Sequence, residues 1–167
     1  GLLKPTAGEI FIRGEPVHFH SPTDAIAKGI GMVHQHFKLV PSLTVFENVM
    51  LGIELNRHVK IGKKTISIPQ IDHKRESAAV QKIIDDYKFG LKATDRVQDL
   101  SIGAKQKVEI IKMLYRQVDI IIFDEPTAVL TPQEIEMFFH TVRELKNRGS
   151  SIIIITHKLQ EVMAISD

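Results

Sequence analysis

The sequence predicts an α/β fold in which a parallel β-sheet follows a β-hairpin region and is interrupted by an inserted helical subdomain. Residues 120–123 and 152–156 are continuous runs rich in β-branched residues, the composition of strands buried on both faces of a parallel sheet. A helical pattern over residues 132–146 lies between them. A strand, a helix and a strand within about 40 residues form a right-handed βαβ unit, which implies a parallel sheet.

The N-terminal part of the chain is predicted to form short strands and one helix. Residues 9–13 and 16–19 flank a Gly-Glu pair, the kind of short connection that joins hairpin strands. A brief helix is expected from about Ser21, and a strand over residues 30–34 follows it. We therefore expect residues 1–40 to combine antiparallel strands with one strand of the core.

The middle region, residues 41–115, is predicted to be the helical subdomain, with no strand pattern. Its three helical patterns lie at residues 45–51, 74–87 and 103–115. A basic loop over residues 57–64 is expected to be solvated, and contact with anionic lipid or a partner protein is the alternative. Residues 116–167 return to the α/β core, where Thr131 is the expected N-cap of the helix between the two strands.

Composition narrows the class of protein. The chain has 167 residues, of which 43% are hydrophobic and 25% charged, the balance of a globular domain. Its 22 basic and 20 acidic residues are mixed along the chain, which argues against a nucleic-acid-binding surface. Cysteine is absent, so disulfides and thiolate metal sites are excluded. The histidine pairs 18/20 and 34/36 have a spacing that metal sites use, but no acidic cluster accompanies them.

Two carboxylates follow the strand at residues 120–123. The C-terminal ends of strands in a parallel sheet open into the crevice where ligands bind. At that place Asp124 can hold Mg²⁺ through water, and Glu125 can orient or deprotonate an attacking water molecule. A strand that ends in two solvated acids is the plainer alternative.

The sequence Asp-Glu-Pro-Thr at residues 124–127 resembles the Walker B ending of ATP-binding-cassette (ABC) proteins. Three further motifs of that family are matched in the same chain order. Residues 100–103 resemble the signature sequence, Gln35 stands where the Q-loop glutamine does, and His157 stands where the switch histidine does. The chain therefore resembles an ABC ATPase, in particular the type found in simple-sugar and nucleoside importers.

The resemblance implies a P-loop NTPase-type core and a role for each motif residue. Asp124 and Gln35 would bind Mg²⁺, and Glu125, His157 and Gln35 would serve catalysis. The signature residues Ser101, Ile102 and Gly103 would contact the ATP of an opposite cassette. The sequence departs from the family pattern at two positions. Ala104 stands where many members have glutamine, and Thr131 stands where most have the D-loop aspartate.

The phosphate-binding P-loop, G-x-x-x-x-G-K-[S/T], has no match in the sequence. The pair Gly62-Lys63 fails the pattern, because Arg57 occupies the first glycine position and Lys64 the Ser/Thr position. In the family the P-loop precedes a segment that resembles residues 1–10. The resemblance therefore predicts a cassette truncated at both ends, with a gap or open edge in its sheet and no ATPase activity on its own.

The function implied is that of the ATP-binding and ATP-hydrolysing part of an importer for simple sugars or nucleosides, with ATP and Mg²⁺ as cofactors. The expected partners are transmembrane permease subunits, a second, fused cassette and, indirectly, a solute-binding protein; nucleic acid is not expected. The expected location is peripheral, at the cytoplasmic face of the bacterial inner membrane. Two other functions stay open: a nucleotide-independent docking module for transmembrane subunits, and a cassette ATPase of the DNA-maintenance type.

Overall fold

The computed structural model describes residues 3–53, 56–61, 64–69 and 73–167. The strands are β1 (Ile10–Ile12), β2 (Glu15–Val17), β3 (Ile30–Val33), β4 (Asn56–Ile61), β5 (Lys64–Pro69), β6 (Ile120–Asp124) and β7 (Ser151–Ile155). The helices are α1 (Pro22–Ala27), α2 (Val45–Met50), α3 (His73–Asp86), α4 (Ile102–Tyr115), α5 (Pro132–Asn147) and α6 (Leu159–Ile165), with a 3₁₀ turn at Val97–Asp99. The chain divides into two compact units, one of Gly1–His36 with Arg116–Asp167 and one of Phe37–Tyr115.

The first unit contains the predicted parallel sheet. Its strand order is β3-β6-β7, with Ile120 of the central strand opposite Ile30 on one side and Ser151 on the other. Helix α5 connects β6 to β7 and packs on one face, where the rings of Phe123 and Phe138 meet edge to face with centroids 5.1 Å apart. The α/β fold predicted from the sequence is confirmed.

Strand β7 corrects one expectation. It was predicted to be buried on both faces, but its residues alternate between half-buried and exposed, and Ile153 and Ile155 are each 49% exposed. The reason is positional. Ile154 lies beside Phe123 in the parallel register, on the face that α5 covers, so Ile153 and Ile155 lie on the opposite face.

The hairpin of β1 and β2 turns one residue earlier than predicted. Arg13 and Gly14 form the connection, with φ angles of 53° and 81°, and Glu15 already belongs to β2. Two successive residues with positive φ are the requirement of a type I′ turn, whose twist matches that of the flanking strands. Arg13 also forms an ion pair with Asp119, the residue before β6, so the turn is joined to the core.

The second unit is built from α2, α3 and α4, whose buried face is aliphatic. Its fully buried residues include Val45, Val49, Val80, Ile84, Ile110 and Ile111. Helix α2 begins with a capping box, in which the Thr44 hydroxyl accepts from the Glu47 N–H and the Glu47 carboxylate accepts from the Thr44 N–H. The hydrogen bonds from the Thr44 N–H and hydroxyl lower the pKa of Glu47.

The basic segment of this unit was wrongly predicted to be a loop in a region without strands. Strands β4 and β5 form an antiparallel hairpin in which Asn56 lies opposite Pro69 and Val59 opposite Ile66. The segment mixes basic residues with β-branched ones, and cross-strand pairing of β-branched residues favours a hairpin over a solvated loop. Gly62 and Lys63, the pair tested against the P-loop pattern, lie outside the described residues.

Candidate functional site

Three of the predicted site residues meet at one carboxylate in the first unit. The Gln35 Nε2 atom donates to the Glu125 Oε2 atom at 3.2 Å, and the His157 Nδ1 atom lies 3.1 Å from the Glu125 Oε1 atom. Gln35 follows the end of β3, Glu125 follows β6 directly, and His157 follows the end of β7. Because the three strands are parallel neighbours, their C-terminal ends lie at the same edge of the sheet.

Glu125 lies in a left-handed turn. Its φ angle is 45°, a conformation that a residue with a Cβ atom seldom adopts and that costs on the order of 1 kcal/mol or more. Its backbone N–H donates to the Ile155 carbonyl at 2.9 Å, which extends the β6–β7 pairing by one step. This turn directs the carboxylate out of the sheet toward Gln35 and His157, and the Glu125 side chain is 32% exposed.

The oxygen ligands at this edge fit a magnesium ion. Asp124 ends β6 and is half-buried, and it stands next to Glu125 in the chain. Since the Gln35 Nε2 atom donates to Glu125, its Oε1 atom is left to accept from water or to bind a cation. Among the described residues no group of three His, Cys, Asp or Glu side chains could hold a metal alone. Mg²⁺ does not need one, because it is usually bound by one or two carboxylates together with substrate phosphates and water.

His157 is a solvent-accessible partner of Glu125. Its side chain is 71% exposed, so a ligand can reach the ring. With a proton on Nδ1 the ring donates to the Glu125 carboxylate, and Nε2 is then left as the second polar atom of the imidazole. The pair can therefore fix the ring orientation while one nitrogen remains available to a bound anion or water molecule.

A second carboxylate lies behind this group and was not assigned a role from the sequence. Glu161 of α6 is only 6% exposed. Its Oε1 atom accepts from the Thr127 hydroxyl at 2.5 Å, and its Oε2 atom accepts from the Thr156 hydroxyl at 3.1 Å. The Lys158 Nζ atom lies 3.1 Å from Oε1. Burial by itself raises the pKa of Glu161, but the hydrogen bonds from Thr127, Lys158 and Thr156 outweigh it, and the pKa is lowered.

The signature residues belong to the second unit, whereas Gln35 and Glu125 belong to the first. Ser101 precedes α4 and caps it, since its hydroxyl oxygen accepts from the Ala104 N–H at 3.2 Å. Ser101 and Ile102 are exposed and Gly103 is half-buried in the first turn of the helix. The amides and positive dipole end of this 14-residue helix are suited to an anion.

A comparison of the sequence with models of protein families points to the same family as the motifs. A family model described as ABC transporter matches residues 1–128. The chain belongs to the ABC transporter family. The model extends through the signature, Asp124 and Glu125, so most of the candidate site lies within the matched range.

Relatives of this ABC chain are nucleoside and sugar import proteins. The guanosine import ATP-binding protein NupO of Bacillus subtilis is 49% identical over 153 residues, which cover 92% of this chain and 28% of NupO. The glucose import ATP-binding protein TsgD13 of Haloferax volcanii is 42% identical over an alignment that covers all of this chain and 34% of TsgD13. The chain thus spans about a third of the length of the curated relatives it matches.

The ABC fold is also found in solved structures. A nucleotide-free ATP-binding cassette from an ABC transporter superposes with a TM-score of 0.78 at 25% identity, covering 99% of this chain and 65% of that chain. Within the described residues, every helix falls short of the length and hydrophobicity that a membrane crossing needs. The comparison thus supports the cassette fold for nearly the whole chain.

Proposed function

We propose that the chain is part of the ATP-binding and ATP-hydrolysing cassette of an importer for simple sugars or nucleosides. The observation that carries this proposal is the convergence of Gln35 and His157 on Glu125 at the ends of three parallel strands. This is a partly exposed carboxylate held by two polar side chains, an arrangement that suits a general base. The names of the nucleoside and glucose import relatives support the solute class.

In this proposal the two acidic residues have different tasks. Glu125 is the general base that orients and deprotonates the attacking water, and Gln35 and His157 hold its two oxygens in place. Asp124 and Gln35 hold the metal. The chemistry that these residues would gain from bound Mg²⁺ is neutralisation of phosphate charge. Catalysis then depends mainly on positioning, which explains why so many groups are fixed around one carboxylate.

The signature residues act on the nucleotide of an opposite cassette. The first turn of α4 presents the positive end of the helix dipole, and the Ser101 hydroxyl can donate to a phosphate oxygen while its oxygen caps the helix. This task requires a second cassette, which we place in the same whole protein as this one, since the relatives are about three times as long as the chain. Transmembrane permease subunits and a solute-binding protein complete the importer, and the cassette works at the cytoplasmic face of the membrane.

We further propose that the chain by itself does not turn over ATP. No residue in its sequence replaces the P-loop amides and lysine that cradle the β- and γ-phosphates. Asp124, Glu125 and His157 act on a phosphate that other groups must first hold. The prediction is checked by assaying the purified chain for phosphate release, and turnover that Glu125→Gln abolishes would overturn it.

The decisive experiment is Glu125→Gln in the whole protein. Gln cannot take a proton, so ATP hydrolysis is expected to fall at least about 100-fold, a typical contribution of general-base catalysis. ATP binding, measured by equilibrium titration with Mg²⁺, is expected to persist. Glu136→Gln on the exposed side of α5 is the matched control and should leave the rate unchanged. Equal rates for wild type and Glu125→Gln would refute the assignment.

A further inference from the structure

The two loops that carry the candidate catalytic groups are joined by a buried carboxylate. Thr127 follows Glu125 by two residues in the loop after β6, and Thr156 precedes His157 directly after β7. Both threonine hydroxyls donate to Glu161, one to each carboxylate oxygen. The Glu161 side chain therefore links two loops and fixes the distance between them. One loop positions Glu125 and the other positions His157.

We propose that Glu161 is a positioning residue for hydrolysis, which holds Glu125 and His157 in register through Thr127 and Thr156. The inference rests on the proposed function, because it concerns the geometry of the same site. Glu161 itself does not reach the reacting atoms, and its effect is transmitted through the two threonines.

The strained turn at Glu125 explains why such a residue is needed. A left-handed conformation persists only where the surroundings determine it strongly. The backbone hydrogen bond from the Glu125 N–H to the Ile155 carbonyl fixes one end of the turn. The Thr127–Glu161 bond fixes the other end two residues later, at a site where Thr127 is only 2% exposed. Without it, the turn keeps its local backbone hydrogen bonds, such as that from the Ala128 N–H to the Glu125 carbonyl oxygen, but it loses its link to the Glu161 carboxylate.

The charge on Glu161 is satisfied locally, which keeps the link rigid. The Lys158 Nζ atom contacts the Glu161 carboxylate at 3.1 Å and also donates to the Thr127 carbonyl oxygen at 3.2 Å. The Lys158 backbone N–H in turn donates to the Thr156 hydroxyl at 3.1 Å. Lys158 is the residue after His157, so the network fixes the switch histidine from both sides. A neutral amide at position 161 would lose the ion pair and present a donor to hydroxyls that now donate.

The test uses Glu161→Gln in the whole protein, assembled with its membrane partners. We expect kcat for ATP hydrolysis to fall at least about 10-fold, the order of loss that small misplacements of catalytic groups produce. The KM for ATP should change less than about twofold, since Glu161 does not touch the nucleotide in this scheme. Active sites are counted by ATP titration, so that kcat refers to folded protein only. Gln160→Ala, an exposed neighbour on α6, is the control and should keep the wild-type kcat.

A conservative pair of variants separates positioning from simple stability. Thr127→Val has nearly the same volume but no hydroxyl. It should cause a large part of the kcat loss seen with Glu161→Gln, because it removes the Thr127–Glu161 bond but leaves the Thr156–Glu161 bond. Thr127→Ser should recover most of that loss. The double variant should be no slower than the slower single variant, as expected for two residues that act as a unit.

The outcomes are distinguishable. A wild-type protein that does not hydrolyse ATP, or one in which Glu125→Gln has no effect, would refute the proposed function and this inference with it. If Glu125→Gln abolishes turnover while Glu161→Gln lowers only the melting temperature and leaves kcat per ATP-binding site intact, Glu161 is merely structural and the inference alone is wrong. Equal kcat values for Thr127→Val and Thr127→Ser would also overturn it.

Discussion

Asn48 offers a sharp test of how the second unit is held together. The residue is 0% exposed. Its Oδ1 atom accepts from the Val40 N–H at 2.7 Å, and its Nδ2 atom donates to the carbonyl oxygens of Val40 at 3.1 Å and Thr44 at 3.0 Å. The Asn48 side-chain amide thus forms hydrogen bonds with backbone groups of the irregular segment that leads from Lys38 to α2. Replacement by leucine keeps the branched shape but removes every polar partner.

The expected loss for Asn48→Leu is about 2–3 kcal/mol in the free energy of unfolding. The Val40 N–H loses its acceptor, which costs about 1–3 kcal/mol. The Val40 and Thr44 carbonyl oxygens each lose one of two hydrogen bonds, at about 0.5–1.5 kcal/mol each, because they still accept from the backbone N–H groups of Leu43 and Asn48. The total is lower than their sum because Val40 is 39% exposed, so water can replace part of the lost bonding there. Asn48→Ala opens space that one or two water molecules can enter, so its loss should not exceed that of leucine.

Urea unfolding followed by far-UV circular dichroism measures the difference, with the midpoint and slope fitted for each variant. Asn147→Leu, at the exposed C-terminal end of α5, is the matched control and should shift the free energy of unfolding by less than about 0.5 kcal/mol. If Asn48→Leu is as stable as wild type while Asn48→Ala is not, the loss comes from a cavity. The hydrogen-bond reasoning would then be refuted.

Three further predictions follow from caps and titrating groups. Thr131→Ala should lower stability by about 1 kcal/mol because it removes the capping box of α5, and Thr131→Ser should retain it, as thermal unfolding will show. Burial and the hydrogen bond to Glu76 raise the pKa of Tyr115 to about 12, so absorbance titration should show one tyrosine ionising well above the ordinary value of 10.0. The lowered pKa of Glu161 means that its ionised form stabilises the fold above the ordinary value of 4.5. The free energy of unfolding of wild type should therefore exceed that of Glu161→Gln by its full amount at neutral pH. This difference should decrease as the pH falls through the lowered pKa of Glu161.

Much of the candidate site could be predicted because a parallel sheet brings the C-terminal ends of its strands to one edge. Once residues 120–123 and 152–156 are recognised as neighbouring parallel strands, the polar residues at their C-terminal ends must lie at one edge. The meeting of Glu125 and His157 follows from that rule. The distances from Gln35 and His157 to Glu125 do not follow from it. They depend on the left-handed turn at Glu125, which the sequence Asp-Glu-Pro-Thr does not predict.

The errors have physical causes of a different kind. The apolar composition of β7 predicts burial, but burial depends on what packs on each face of a strand, and Ile153 and Ile155 lie exposed on the face opposite α5. The sequence predicts a loop where β4 and β5 form a hairpin, because lysine, arginine and histidine are common in loops. Pairing between strands is a non-local property, and the register that places Val59 opposite Ile66 does not show in the composition of either strand alone.

The roles proposed for Glu125 and Glu161 show why residue type alone cannot separate a catalytic glutamate from a positioning one. Both are carboxylates that two side chains bind. Glu125 is bound by residues that follow β3 and β7, and Glu161 by residues that follow β6 and β7. Their environments differ: Glu125 is 32% exposed, while Glu161 is 6% exposed and has a lysine partner. A base must exchange its proton with a substrate water, so it has to be accessible. A positioning residue must keep its charge and its contacts, so burial and an ion pair suit it. A glutamate side chain can therefore meet either requirement, accessibility or burial, and the surrounding structure decides which one.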